Sequence, residues 1–150
     1  MIRYVHTNII AKDCDKLIHF YKEVLHCTSI NEKRDQKGGW LEQLTGIKDA
    51  HIIGEHLLLP GHGKTHPTLE IYSYDSMVET GLLNPNHTGI AHLAFEVDDV
   101  EEMVQKIIEH GGSLVGEIVI VKNHNNTDKT AKFAYTRDIE GNIVELQSWN

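Results

Sequence analysis

Apolar and polar positions follow two different periods along this chain, and the periods change at the same relative places in each half. Residues 4–10 and 90–97 alternate like strands, each run carrying one histidine, His6 or His92. After the first run, Asp13 stands where a helix would be capped, and Leu17, Ile18, Phe20, Tyr21, Val24 and Leu25 recur at helical spacing up to a stop near His26. After the second, Asp98 or Asp99 can cap a helix with Glu101 or Glu102 in its first turn. Its apolar positions are Val100, Met103, Val104, Ile107 and Ile108, and it ends at Gly111-Gly112.

The two halves also close alike. Leu69-Glu70-Ile71-Tyr72-Ser73-Tyr74 matches Val144-Glu145-Leu146-Gln147-Ser148-Trp149 as apolar, Glu, apolar, variable, Ser, aromatic. Between these ends the first half reads as a strand over 28–34, a break at Gly38-Gly39, a short turn or helical piece over 40–45, a strand over 51–59, a turn at Pro60-Gly61-His62-Gly63 and a strand from Thr68. The second reads as strands over 114–121 and 132–137, a polar stretch over 122–129, a turn at Glu140-Gly141-Asn142 and a last strand. Each half is therefore a βαβββ module, repeated in tandem. The predicted class is α+β, with two modules forming a curved, cup-shaped mixed sheet and helices on its convex side. The boundaries are 1–74 and 89–150 within a single domain 1–150. The linker 75–88 contains a short helical turn over 77–83. His6 and Glu70 are 64 residues apart and His92 and Glu145 are 53 apart, a surplus of 11 in the first half that is assigned to residues 37–47.

Strand alternation says where the polar residues point. Val5, Thr7 and Ile9 share one side, while His6 and Asn8 share the other. Leu93, Phe95 and Val97 separate in the same way from His92, Ala94 and Glu96. Glu70 and Glu145 are each flanked by apolar neighbours that need the helix side. His6, Glu70, His92 and Glu145 thus all point away from the helices, and a cup made by both modules would gather them on its concave face. Two imidazoles and two carboxylates suit zinc, nickel, manganese, cobalt or iron, one divalent ion per site, with positions left for water or substrate. The same alternation makes Asn8, Tyr72, Tyr74, Gln147 and Trp149 lining residues of the substrate pocket. The segment 122–129 is a candidate lid. A lone strand histidine or glutamate is ordinarily just solvent-facing, and it is the coincidence of four in register that carries weight.

Composition narrows the field without changing this picture. With 40% hydrophobic and 24% charged residues the chain is an ordinary globular one. There is neither a signal-peptide pattern nor a stretch fit to cross a membrane, so the expectation is a cytoplasmic protein. A formal charge of −8, from 14 basic and 22 acidic residues, argues against nucleic acid. Cys14 and Cys27 lack metal or redox spacing and read as small buried thiols. Of the 11 histidines, His19, His26, His51, His56, His62, His66, His87, His110 and His124 take ordinary structural or surface readings. His62 and His66 form a weak rival metal pair in a turn.

These motifs resemble the vicinal oxygen chelate superfamily, the group of glyoxalases, bleomycin-resistance proteins and extradiol dioxygenases. The matching residues are His6, Phe20-Tyr21-Lys22-Glu23-Val24-Leu25, Leu69-Glu70-Ile71, the run 89–100, and Asp138 to Leu146. Within the group the His6, Glu70, His92, Glu145 set is most similar to glyoxalase I. The resemblance implies a divalent metal, a homodimer, and a metal-dependent lyase or isomerase catalysing proton transfer next to a carbonyl through a metal-stabilised enolate or enediolate. The substrate would be a small carbonyl or thioester compound. Glu145 is then ligand and base and Glu70 its counterpart, with the roles exchangeable. Alternatives are a methylmalonyl-CoA epimerase-like isomerase, which typically has Gln in place of Glu70, an extradiol-type dioxygenase or antibiotic-modifying transferase using a His, His, Glu triad, and a metal-free drug- or metabolite-binding protein. Ile10 stands where glyoxalase I normally carries a glutathione-gripping Arg, and His26 where the family usually has Gly.

Overall fold

In the computed structural model, residues 1–63, 67–122 and 130–149 are described. The chain divides into two compact units, Met1–Glu79 and Thr80–Asn150, meeting inside the predicted 75–88 linker. That linker contains no helix; residues 77–83 are irregular, and the helical turn expected there is absent. Among the described residues no helix is long and apolar enough to cross a membrane.

The first unit runs β1 (His6–Ile10), α1 (Cys14–Glu23), β2 (Thr28–Ser29), β3 (Arg34–Lys37), α2 (Gly39–Thr45), β4 (His51–Leu58) and β5 (Thr68–Tyr74). Its sheet is ordered β1-β5-β4-β2, with β3 also on β4 and only β1–β5 parallel. Asp13 caps α1 as expected, accepting from the Lys16 amide at 3.1 Å. All six apolar residues of the predicted helical stripe are buried with Leu57, Leu69 and Ile71, and each such side chain is worth roughly 1.5–3 kcal/mol. The repeated serine has a structural task here. Ser73 Oγ accepts from the Cys14 amide at 3.0 Å and donates to the Ala11 carbonyl at 2.7 Å, tying the start of α1 to β5. Past the end of α1, Cys27 N–H donates to the Tyr21 carbonyl at 3.1 Å. This closure requires a left-handed residue, which is His26 at φ 56°.

The second unit runs β6 (Leu93–Glu96), α3 (Val100–Glu109), β7 (Ser113–Leu114), β8 (Val119–Lys122), β9 (Thr130–Arg137) and β10 (Ile143–Trp149). Its order β6-β10-β9-β7, with β8 on β9, repeats the first sheet. Asp99, of the two candidates, caps α3. Val100, Val104 and Ile107 are buried with Val144 and Leu146, whereas Ile108 is exposed. The architecture is α+β, two tandem βαβββ modules with open mixed sheets.

Two expectations need correction. The strands read over 28–34 and 114–121 are each broken in two. Between Ser29 and Arg34 five positions advance against three on β4, from Leu57 to Gly54, and between Leu114 and Val119 five advance against three on β9, from Thr136 to Phe133. The same bulge occurs twice. The 11-residue surplus is not confined to 37–47 either. Between equivalent ladder positions Arg34 to His56 and Val119 to Tyr135 the first unit is longer by six, which includes α2, and between His56 to Glu70 and Tyr135 to Glu145 by four, in the β4–β5 connection.

Both cysteines are free and buried, and burial pushes the Cys27 thiol up to about 12, so it is inert rather than nucleophilic.

Candidate metal centre

One face of each sheet packs on its helix; the opposite face carries the candidate residues. In the first unit, β1 and β5 run parallel with Asn8 level with Glu70, and β5 and β4 run antiparallel with Glu70 opposite His56. His6 Nε2 lies 3.2 Å from Glu70 Oε2, and Asn8 Nδ2 donates to that same oxygen at 3.2 Å. His56 Nε2 meets the other oxygen, Oε1. The His56 ring lies 5.8 Å from the His6 ring and 6.1 Å, nearly edge-on, from Tyr72.

Tyr72 owes its place to a glycine. Gly54 is its cross-strand neighbour, and a Cβ there would come within 2.6 Å of the Tyr72 ring and 1.9 Å of the Ile71 carbonyl oxygen. Arg34 sits on the other side of Gly54. Burial raises the Tyr72 phenol pKa, with the Arg34 charge and its hydrogen bond to the hydroxyl opposing; the hydroxyl itself is buried. Burial likewise lowers the His56 imidazole pKa, against the pull of Glu70 and with Arg34 and His6 acting in the same direction as burial.

In the second unit, β10 and β6 run parallel with Glu145 level with Ala94, two residues beyond His92, as Asn8 is two beyond His6. His92, just ahead of β6 rather than inside it, places Nε2 2.8 Å from Glu145 Oε2. Tyr135 lies opposite Glu145 on β9, and its ring packs 5.1 Å from that of His92. The start of β10 is set by the β9–β10 turn. There the buried Asp138 carboxylate accepts from the Glu140 and Asn142 amides at 2.9 and 3.0 Å and from Asn142 Nδ2 at 2.8 Å.

Each unit therefore holds one of the two expected pairs, His6–Glu70 and His92–Glu145. The spacing within a pair suits a metal. Donors each ~2.0–2.1 Å from one ion are about 2.8–3.0 Å apart at a right angle and about 3.3–3.4 Å apart at a tetrahedral one, and the observed separations are 3.2 and 2.8 Å. Imidazole with carboxylate is also the donor chemistry of borderline divalent ions. Among the described residues no three His, Cys, Asp or Glu side chains form a metal-holding group, so each pair by itself offers two donors.

The remaining pocket candidates divide. Asn8 touches Glu70. Tyr72 and Tyr74 pack with Leu41 of α2, Ala50 and Ile52, so α2 covers that end of the sheet face. Gln147 lies opposite Phe133, and the exposed Trp149 stands edge-on to Phe133 at 5.6 Å. His66 and residues 123–129 of the candidate lid lie outside the described residues.

Reading the sequence alone missed His56. With Leu57 and Leu58 both apolar, alternation in β4 has two equally good phases. Only the burial of Leu57, at 0% exposure, turns His56 to the Glu70 face. His51 falls on the opposite face and binds Asp75 and Asp35 at 2.6 and 2.7 Å.

A family model described as the Glyoxalase/Bleomycin resistance protein/Dioxygenase superfamily matches residues 3–146. Among solved structures, a glyoxalase family protein from Bacillus cereus is similar at TM-score 0.77 and 22% identity, covering 99% of this chain and 93% of its own. A glyoxylase/bleomycin resistance protein/dioxygenase domain from Frankia sp. gives 0.61 and 16%, covering 100% and 92%. A fosfomycin resistance protein from Listeria monocytogenes, solved with Mn(II) and sulfate, gives 0.52 and 15%, covering 99% and 91%. No curated protein matches the chain.

Proposed function

The chain belongs to the Glyoxalase/Bleomycin resistance protein/Dioxygenase superfamily, and from that premise we propose that it is a metal-dependent, glyoxalase I-like lyase or isomerase that moves a proton next to a carbonyl. The observation that carries this reading is the twice-repeated His–Glu pair at donor spacing, His6–Glu70 and His92–Glu145. His6, Glu70, His92 and Glu145 are the proposed ligands for a divalent ion of the zinc, nickel, manganese, cobalt or iron group. A bound ion supplies Lewis acidity, which stabilises negative charge developing on a substrate oxygen.

The protein groups supply the proton chemistry. A carboxylate beside a carbonyl-bearing carbon can accept its proton and return it to a neighbouring atom. Glu145 and Glu70 are the carboxylates for that work. Asn8, through Glu70 Oε2, fixes the direction of one of them. The substrate class is a small carbonyl or thioester compound. Its partners would be a second copy of the chain and no nucleic acid, in the cytoplasm, readings supported by the family pattern and the −8 charge. Light scattering measures the first of these.

The test is elemental analysis of tag-free protein purified without chelator, beside His92→Ala, followed by NMR detection of solvent deuterium entering carbonyl compounds. About one equivalent of transition metal per chain, lost in the variant, with exchange that needs the metal, is the expected result. A protein that neither retains nor takes up metal would sink the reading and leave a metal-free binder.

A further inference from the structure

We propose that His56 is a positioning residue for Glu70, locking one carboxylate as a ligand while Glu145 keeps the freedom to carry the proton. The inference rests on the metal-dependent reading above and deepens it by separating the two glutamates.

The two oxygens of Glu70 have different neighbours. Oε2 faces His6 Nε2 and Asn8 Nδ2, both at 3.2 Å, and Oε1 faces His56 Nε2. The His56 Nε2 atom is buried, and among the described residues this carboxylate is the polar group it meets. A ring nitrogen facing an ionised carboxylate must carry its hydrogen and donate, because the carboxylate only accepts. His56 therefore holds Oε1, while Oε2, which accepts from Asn8 Nδ2, is the oxygen that faces His6. Its own ring is held between His6 and Tyr72, and Tyr72 is held over Gly54, where a side chain would collide with it.

The equivalent position in the second sheet is Tyr135, opposite Glu145. Its ring packs on His92, and among the described residues no hydrogen bond joins its hydroxyl to Glu145. Glu145 is thus anchored through Oε2 to His92, and among the described residues no donor stands at Oε1. A carboxylate held at one oxygen only can reorient between ligand and substrate; one held at both cannot. Groups behind a metal ligand set its orientation and basicity, and their removal typically weakens metal binding by roughly 10–100-fold.

The experiment titrates Co(II) into metal-free wild-type protein, His56→Leu and His56→Gln, reading affinity by competition with a chromophoric chelator and coordination by the cobalt visible spectrum, with thermal melting as a check on folding. His56→Leu should bind Co(II) 10–100-fold more weakly with an altered spectrum, while His56→Gln, whose amide can donate to Oε1, should stay within about threefold of wild type. Wild-type affinity and spectrum in His56→Leu would overturn the proposal. So would a loss in His56→Gln equal to that in His56→Leu, and the Gln variant decides alone should the Leu variant not fold. Failure of the wild-type protein itself to bind cobalt would overturn the metal reading and this inference together, which separates the two failures.

Discussion

Glu70 and Glu145 occupy the same place in their two sheets, each level with the residue two beyond a histidine on the parallel neighbour and each directly opposite a ring on the antiparallel one. The rings differ, imidazole behind Glu70 and phenol behind Glu145. Exchanging the carboxylates for amides should therefore have unequal effects. Glu145→Gln is expected to slow deuterium exchange by roughly 10²–10⁴-fold while the protein still binds metal. Glu70→Gln should show its loss first in metal content. Equal metal loss in both variants would contradict the division of roles.

Metal binding should also appear as stability. An ion held by the native state at a free concentration a hundredfold above its Kd stabilises by about 2.7 kcal/mol. Treatment with chelator should lower the Tm, and adding back metal should restore it in wild type but not in a His6→Ala, His92→Ala double variant. A Tm insensitive to both treatments would count against the donor set.

Gly54 should resist substitution. Its missing side chain lets the Tyr72 ring lie against β4, with a Cβ position only 2.6 Å from that ring. Gly54→Ala is expected to destabilise by about 1–3 kcal/mol in urea unfolding, the usual cost of overpacking, and to disturb Tyr72 and its contact with His56. A neutral result would mean the strands separate there at little cost.

His26 should do the reverse. It holds φ 56° at the end of α1, a conformation that costs a non-glycine residue about 1 kcal/mol. His26→Gly should raise stability by roughly 0.5–1 kcal/mol, and His26→Val should lower it. The check is the urea midpoint at constant m-value.

His51 gives a pH signature. Its two ring nitrogens meet Asp75 and Asp35, whose hydrogen bonds raise its pKa, Asp75 first. Both contacts can be donated only by the imidazolium. The stabilisation is therefore complete below the unfolded pKa of about 6.5 and disappears as pH rises through the higher folded value. As pH rises above about 6.5 the wild-type Tm should fall more steeply than that of His51→Gln. Parallel profiles would show that the clamp contributes nothing.

Much of this was legible in the residues. The cap at Asp13, the stripe from Leu17 to Leu25 and the duplicated Glu-x-x-Ser ending fixed two βαβββ modules, because each is a local pattern whose period the backbone geometry reads directly. The bulges between Ser29 and Arg34 and between Leu114 and Val119 left no comparable trace, since their five-against-three count exists only relative to a partner strand.

The sequence by itself determined which faces His6, Glu70, His92 and Glu145 occupy, because a two-residue period with apolar neighbours leaves one orientation that buries the apolar set. Only the tertiary structure decided what stands behind each carboxylate. His56 and Tyr135 reach Glu70 and Glu145 through strand register, and register follows from the burial of Leu57 and Thr136 rather than from any spacing along the chain.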